Sequence, residues 1–148
     1  MKKFMVLAVV LSFVVGMAAS PAARRYIHLS AASDMQKLPF SDAVMVGDTL
    51  YLAGRIGFDP ATGKPPADID QEIKFLLDGY ASVLKEGGMT MDDLVSVQVF
   101  CPDLSLYDRF NAAYRARFSK DFPARAFIGS GPLLRDGHFE MMGIAVKR

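Results

Sequence analysis

One apolar stripe at helical spacing, between Asp68 and Glu86, constrains the fold of this chain more than any other feature. Asp68 is suited to cap the first turn, and the Gly87-Gly88 pair that follows predicts the end of the helix. A helix with a single stripe must bury that side against another apolar layer. The stripe consists of Ile69, Ile73, Leu76, Leu77, Tyr80, Val83 and Leu84.

The next segment has the periodicity of a strand, and a second helical stripe comes after it. From Leu94 to Cys101 apolar and polar residues alternate, so that Val95, Val97, Val99 and Cys101 are predicted to share one face. Pro102-Asp103 ends this strand, and Ser105 with Asp108 resembles a capping box for a second helix. The second stripe consists of Leu106, Phe110, Ala113, Tyr114, Arg117 and Phe118.

The remaining apolar runs predict strands at both ends of the domain. Residues 43–46 and 50–53 flank Gly47-Asp48, which is typical of a β-hairpin. Further strands are predicted at 124–128 and 138–146. Residues 24–38 show no clear periodicity and are interpreted as an irregular N-terminal arm.

The predicted order is strand, strand, helix, strand, helix, strand, strand, which favours an α+β fold with two helices on one face of a sheet. The sequence offers no third helix for the opposite face, although apolar residues occur on both sides of the strands, as at Val99 and Phe100. Self-association would cover that face.

The first 22 residues have the three parts of a secretory signal peptide. Met1-Lys2-Lys3 is cationic, residues 4–17 are predominantly apolar, and small residues follow around two possible cleavage points, after Ala18 or after Ala22. The apolar run is short for a membrane span, which needs about 20 residues. We therefore expect an exported protein, periplasmic or secreted, with no membrane contact after cleavage; an uncleaved anchor is the alternative. The domains are then a signal peptide (1–22), an arm (23–37) and a folded domain (38–148).

Charge and cysteine content exclude several classes of function. The chain has 17 basic and 16 acidic residues, and removal of Lys2 and Lys3 leaves 15 basic residues, a balance that does not favour nucleic acid as a partner. The single cysteine, Cys101, cannot form a disulfide within one chain and is predicted to be a core residue. Two distant histidines, His28 and His138, do not predict a metal site, and no cofactor is expected.

Arg125 is the clearest candidate for a functional residue. It lies in Phe122-Pro123-Ala124-Arg125-Ala126-Phe127, where Pro123 ends the preceding helix and the chain becomes extended. A permanent cation among apolar neighbours needs a partner, and its planar guanidinium matches a carboxylate. That partner is either an acidic side chain of the protein or a small anionic ligand.

Several motifs in register resemble the Rid family, the YjgF-like reactive intermediate (imine/enamine) deaminases. The resemblance runs from about Leu38 to Arg148. It is carried by Pro123-Ala124-Arg125, Leu52-Ala53-Gly54-Arg55-Ile56, Asp59-Pro60-Ala61-Thr62-Gly63, Asn111-Ala112-Ala113-Tyr114 and Ile144-Ala145-Val146.

The resemblance implies a chorismate-mutase-like fold and a homotrimer with ligand clefts between subunits. It also implies that Arg125 binds the carboxylate of a small 2-imino acid, while a glutamate on the last strand activates water to give a 2-keto acid and ammonia. The implied substrate-binding positions are Phe40, Ala53, Gly54, Asn111, Arg125, Phe127 and Met142.

The sequence differs from the family pattern at four of these positions. Ungapped alignment from Arg125 predicts that Met142 occupies the place of the family glutamate, and Glu140 is the alternative base two residues earlier, about 7 Å away along a strand. Ala53 stands for a serine, Phe40 for a tyrosine and Phe127 for a cysteine. Both Glu140 and Asn111 also have structural interpretations. Glu140 could pair with Arg125 or contact another subunit, and Asn111 could serve as a structural hydrogen-bonding residue.

Three functions remain open from the sequence. The first is a Rid-type deaminase, a hydrolase acting on C=N bonds, with weak or altered activity. The second is a binding protein that holds a small carboxylate on the same trimer without turnover. The third is an endoribonuclease, for whose catalysis the residues provide no support.

Overall fold

The computed structural model describes residues 23–29 and 38–148, which form one six-stranded sheet and two α-helices. The sheet order is β1-β2-β3-β6-β4-β5, and all neighbours are antiparallel except β4 and β5. The predicted signal peptide lies outside the described residues, as do residues 30–37 of the arm. The elements are β1 (Arg24–Ile27), β2 (Ala43–Val46), β3 (Thr49–Ile56), α1 (Ile69–Glu86), β4 (Leu94–Cys101), α2 (Tyr107–Arg115), β5 (Ala124–Gly129) and β6 (Glu140–Val146).

Helix α1 forms as its stripe predicts. The Asp68 carboxylate accepts a hydrogen bond from the N–H of Asp70 at 3.0 Å, and the helix ends at Gly87. Six of the seven predicted stripe residues are buried, and Ile69 packs against the core at the start of the helix. The hairpin is also confirmed, with Gly47 at φ 57° between β2 and β3.

The second helix begins differently from the prediction. Asp103, not Ser105, provides the cap, since its carboxylate accepts from the N–H of Ser105 at 2.9 Å and starts a short 3-10 turn. Helix α2 then runs from Tyr107 to Arg115, so Arg117 and Phe118 lie beyond its end. An Asp side chain readily accepts from the backbone N–H two residues later. Asp103 therefore caps the turn without the reciprocal bond that a capping box requires.

The predicted face of β4 is wrong at its first position. Val95 is 47% exposed, whereas Leu94, Val97, Val99 and Cys101 are buried. The register with β6 shifts between Leu94 and Ser96, which is a β-bulge, and the extra residue reverses the alternation.

Two strand boundaries also differ from the sequence prediction. The arm is not irregular throughout, because Arg24–Ile27 forms β1 and pairs with β2, with Ile27 buried. The last strand begins at Glu140 rather than His138. His138 therefore does not share a strand face with Glu140 and Met142, and its ring instead contacts Glu72 on α1, with Nδ1 2.7 Å from Oε2.

Both helices cover one face of the sheet, as predicted, and the opposite face carries apolar side chains. Tyr51, Met142 and Val146 on that outer face are 50%, 40% and 37% exposed. Within the part of the chain that the structure describes, no helix covers this face. A contiguous apolar surface of this kind is typical of a protein–protein interface, and the trimer stays a prediction.

Candidate functional site

Arg125 lies on the helix-facing side of the edge strand β5, opposite the buried Val97 of β4. Its Nη2 donates a hydrogen bond to Oδ1 of Asn111 on α2 at 2.6 Å. Its Nη1 is buried and has no hydrogen-bond partner. One edge of the guanidinium is therefore fixed by the protein, and a strong donor remains available beside it.

Aromatic rings surround the rest of this guanidinium. The Tyr114 ring lies 4.6 Å from Cζ, and the rings of Phe127 and Tyr107 lie at 5.8 and 5.9 Å. Cation–π contacts with the faces of these rings stabilise the charge. The ring faces do not serve as conventional hydrogen-bond acceptors, so Nη1 is still without a partner. No ion pair joins Arg125 to a carboxylate among the described residues. The interpretation of Arg125 as half of an internal salt bridge is thus wrong within this part of the chain.

A cavity of about 160 Å³ lies beside the guanidinium. Burial raises the pKa of the Tyr114 phenol to about 12, against a smaller lowering by Arg125, so the hydroxyl is protonated at neutral pH. That hydroxyl is also buried without a partner. The cavity thus combines a cation with polar groups that the protein leaves unsatisfied, which suits a small anion. Its lining residues are Asn111, Tyr114, Arg115, Phe122, Pro123 and Arg125.

A second group of predicted site residues meets at a β-bulge between β3 and β6. Leu52 pairs with Gly143 and Arg55 with Met141, so Ala53 and Gly54 together oppose the single residue Met142. The Glu140 carboxylate lies directly against Gly54, and its Oε1 occupies the space that a Cβ at position 54 would need. Gly54 is therefore required for close approach, and Glu140 is the carboxylate that faces it.

Phe40 and Gly54 also line a groove of about 620 Å³ between the C-terminal half of β3 and α1. Its charged walls are the Arg55–Asp42 pair, 3.0 Å apart, and Arg135, whose guanidinium stacks 5.2 Å from the Phe58 ring. Phe40 is 53% exposed there. This groove offers an apolar surface with charged walls, and Glu140 lies against Gly54 rather than in the lining.

The structure brings the predicted residues together in two sets rather than one. Asn111, Arg125 and Phe127 form the first set, on the helix side of β5. Phe40, Ala53, Gly54, Glu140 and Met142 form the second set, around the bulge. Glu140 pairs with Phe100, which alternates with the helix-facing Val99, so Glu140 lies on the outer face and cannot meet Arg125 of the same chain.

Comparison with known proteins matches this arrangement to one family. The family model described as Endoribonuclease L-PSP matches residues 32–147. The 2-iminobutanoate/2-iminopropanoate deaminase of Bos taurus is 34% identical over 110 residues, covering 74% of this chain and 80% of that protein. The chain belongs to the Rid family.

Other Rid proteins agree in sequence and fold. The 2-iminobutanoate/2-iminopropanoate deaminase of Escherichia coli is 32% identical over 113 residues, covering 74% of this chain and 88% of that protein. The crystal structure of the YjgF gene product from Escherichia coli superimposes with a TM-score of 0.71 at 28% identity, covering 88% of this chain and all of that one. The predicted α+β, YjgF-like fold is thereby confirmed.

Sequence reasoning about this Rid protein missed the aromatic setting of Arg125. Tyr114 belongs to the predicted apolar stripe of α2 and to a motif of the family resemblance, but it is not among the predicted site residues, although it lies three residues after Asn111 and hence on the same side of the helix. That spacing was a usable signal, because both side chains reach the guanidinium. Phe122 opens the segment singled out around Arg125, whereas Tyr107 gave no comparable signal.

Metal ions and membranes are two further kinds of partner to consider for the Rid chain. Among the described residues, no three or more His, Cys, Asp or Glu side chains are grouped so that they could hold a metal ion. Over the same residues, no helix combines the length and apolarity that crossing a membrane requires.

Proposed function

We propose that this Rid protein hydrolyses small 2-imino acids to 2-keto acids and ammonia. The observation that carries the proposal is the buried Nη1 of Arg125, which has no partner while Nη2 is held by Asn111. A carboxylate of a planar imino acid would accept from Nη1 and gain a charge-assisted hydrogen bond. The deaminase names of the bovine and Escherichia coli relatives support the same reaction class.

The reaction needs one water and no redox partner. Water oxygen adds to C2 of the imine, the C=N π electrons move to nitrogen, and nitrogen takes a proton to give a carbinolamine. The C–N bond then breaks as ammonia leaves with a further proton, and the remaining O–H loses its proton to form the ketone. A carboxylate near C2 is needed to take and return protons.

Glu140 is the residue we assign to this proton transfer. It lies against Gly54, a backbone position that the family resemblance connects with the substrate, whereas Met142 has a thioether that accepts no proton from water. On this assignment the chain does not depend on a carboxylate at position 142.

The complete site would combine Arg125 of one copy with Gly54 and Glu140 of another. This follows from the two sets of residues lying on different faces of the sheet, and the exposed outer face supplies a surface for the contact. A cyclic homotrimer, as the resemblance implies, would repeat this heterologous contact three times.

The test is ammonia release from 2-iminopropanoate, which is generated in situ by oxidising alanine with an amino-acid oxidase. We expect release above the spontaneous rate with wild type and its loss with Arg125→Ala. Arg109→Ala is the matched control, since Arg109 lies on α2, the helix that carries Asn111, but pairs with Asp70 at 2.6 Å on the surface. Equal rates with and without protein would contradict the proposal.

A second candidate is a binding protein for small carboxylates. Met142 and Ala53 favour it, because both put apolar groups at the bulge next to Glu140. It predicts that 2-ketobutanoate raises the Tm of wild type but not of Arg125→Ala, with no ammonia released from imines.

Export remains a proposal that rests on residues 1–22. Sequencing the N-terminus of protein from the periplasmic fraction should give a start after Ala18 or Ala22. A start at Met1 would contradict it.

A further inference from the structure

Glu72 is a buried carboxylate that the proposed reaction does not use. It lies in the first turns of α1 and is completely shielded from solvent. Its Oε1 accepts hydrogen bonds from the backbone N–H of His138 at 2.7 Å and of Phe139 at 3.3 Å, and its Oε2 lies 2.7 Å from Nδ1 of His138. Burial of a carboxylate is costly unless several donors compensate for the lost water, and here three do.

These bonds fix the two residues immediately before Glu140. Because the N–H groups of His138 and Phe139 bond to Glu72, they do not enter the strand ladder, and β6 begins only at Glu140. The main chain of Glu72 is fixed as well. Its carbonyl lies so close to Gly57 that no Cβ fits there, which holds α1 against the end of β3. Glu72 thus connects α1 to both strands of the bulge where Gly54 and Glu140 meet.

We propose that Glu72 is a positioning residue that sets the place of the Glu140 carboxylate over Gly54. The proposal rests on the proposed function for its kinetic consequence, though not for the structural link itself. What matters is the reach of the side chain to two backbone donors, rather than its negative charge. A glutamine has the same reach: its carbonyl oxygen can accept from both N–H groups, and its amide can donate to Nδ1.

Three substitutions separate reach from charge. Glu72→Gln keeps the reach and removes the charge, Glu72→Asp keeps the charge but is shorter by one carbon, about 1.5 Å, and Glu72→Leu removes both. We expect Glu72→Gln to retain most of the wild-type kcat on 2-iminopropanoate. Glu72→Asp and Glu72→Leu should lower kcat at least about tenfold with KM changed less than about twofold, because misplacing a catalytic group affects the reaction step rather than carboxylate binding.

Leu84→Ala is the matched control for lost stability. Leu84 is fully buried on the same helix but near its other end. We expect it to lower Tm while kcat is retained. The proposal is overturned if Glu72→Asp is as active as Glu72→Gln, or if kcat falls with Tm alike in all variants. Should Glu72→Leu not fold, the Gln and Asp pair decides.

Amide hydrogen exchange gives a readout that needs no catalysis. We expect the amide of Phe139 to exchange at least about tenfold faster in Glu72→Asp than in wild type, and near the wild-type rate in Glu72→Gln. If wild type releases no ammonia, the proposed function fails while this measurement still tests the positioning role. Equal exchange in all variants would refute it.

Discussion

The environments of Arg125 and Glu140 differ in what surrounds the charge: side chains surround Arg125, and main chain lies against Glu140. Arg125 lies on an edge strand, half-buried among three aromatic rings, with one fixed nitrogen and one free nitrogen. Glu140 lies on a central strand with its carboxylate pressed against the bare backbone of Gly54. The cation is held by one amide side chain and by the faces of aromatic rings, whereas the carboxylate lies against main chain.

This contrast shows how the work can be divided between copies of one chain. The aromatic setting of Arg125 suits a residue that binds, because it stabilises charge without occupying the donor. The backbone setting of Glu140 suits a residue that reacts, because a proton acceptor must be placed closely. The two lie on opposite faces, so the proposed reaction would need two copies of the chain to complete a site.

The largest expected effect is at the carboxylate. Glu140→Gln preserves shape but removes the proton acceptor, and we expect kcat on 2-iminopropanoate to fall about a thousandfold with KM nearly unchanged. Steady-state ammonia release measures both constants. If the Glu140→Gln enzyme is active, another group is the base, and the contrast between the two regions does not explain catalysis.

A smaller effect is expected at the cation. Arg125→Ala removes a charge-assisted donor, and kcat/KM should fall about a hundredfold, largely through KM. Arg125→Lys should recover only part of this loss, since a point charge lacks the planar fork. If the lysine variant matches wild type, the geometry of the guanidinium is unimportant.

Mixing the Arg125→Ala and Glu140→Gln chains, with substrate well below the wild-type KM so that each variant alone is nearly inactive, tests whether the two halves of the site come from different copies. When Arg125→Ala and Glu140→Gln chains are unfolded together and refolded in equal amounts, about a quarter of the clefts in a cyclic trimer receive both intact residues. Activity should therefore return to about a quarter of the wild-type value. If the mixed chains stay inactive, either both residues act within one protomer or the chain does not form the trimer.

The smallest effect concerns the link between the helices beneath the two regions. Asp78 on α1 pairs with Arg117 after α2 and with Lys74, both at 2.6 Å. Burial raises the pKa of Asp78, but these two cations outweigh it and hold the pKa below its ordinary value of 3.8. A lowered carboxyl pKa stabilises the folded chain above that value and ceases to do so as the pH falls through the folded-state pKa.

We therefore expect Asp78→Asn to lower the free energy of unfolding by about 0.5 kcal/mol at pH 7, a small value because the carboxylate is 42% exposed. The difference should vanish once the pH is below the lowered, folded-state pKa of Asp78. Urea unfolding at both pH values measures it. Asp121→Asn, at an exposed position, is the control. A loss that persists in acid would show that charge is not the cause.

The sequence predicted those elements whose cause is local. Periodicity and capping gave α1, and the Gly-Asp pair gave the hairpin, because each depends on neighbouring residues. The bulge that exposes Val95, the strand at Arg24–Ile27 and the start of β6 were missed, since each depends on a distant segment that competes for backbone bonds. Arg125 was found by its chemistry, whereas the approach of Tyr107 depends on how α2 packs against β5, which no local pattern shows.

An unbroken row of rings runs through the interior from one region to the other. Phe127 beside Arg125 contacts Phe110 with centroids 5.6 Å apart, and Phe110 contacts Phe139, the residue before Glu140, at 5.0 Å. Phe110 and Phe139 are completely buried, so their volume is shared by both neighbourhoods. A change in the volume of Phe110 or Phe139 should therefore disturb the surroundings of both charges, and a compensating replacement in the other ring should restore them.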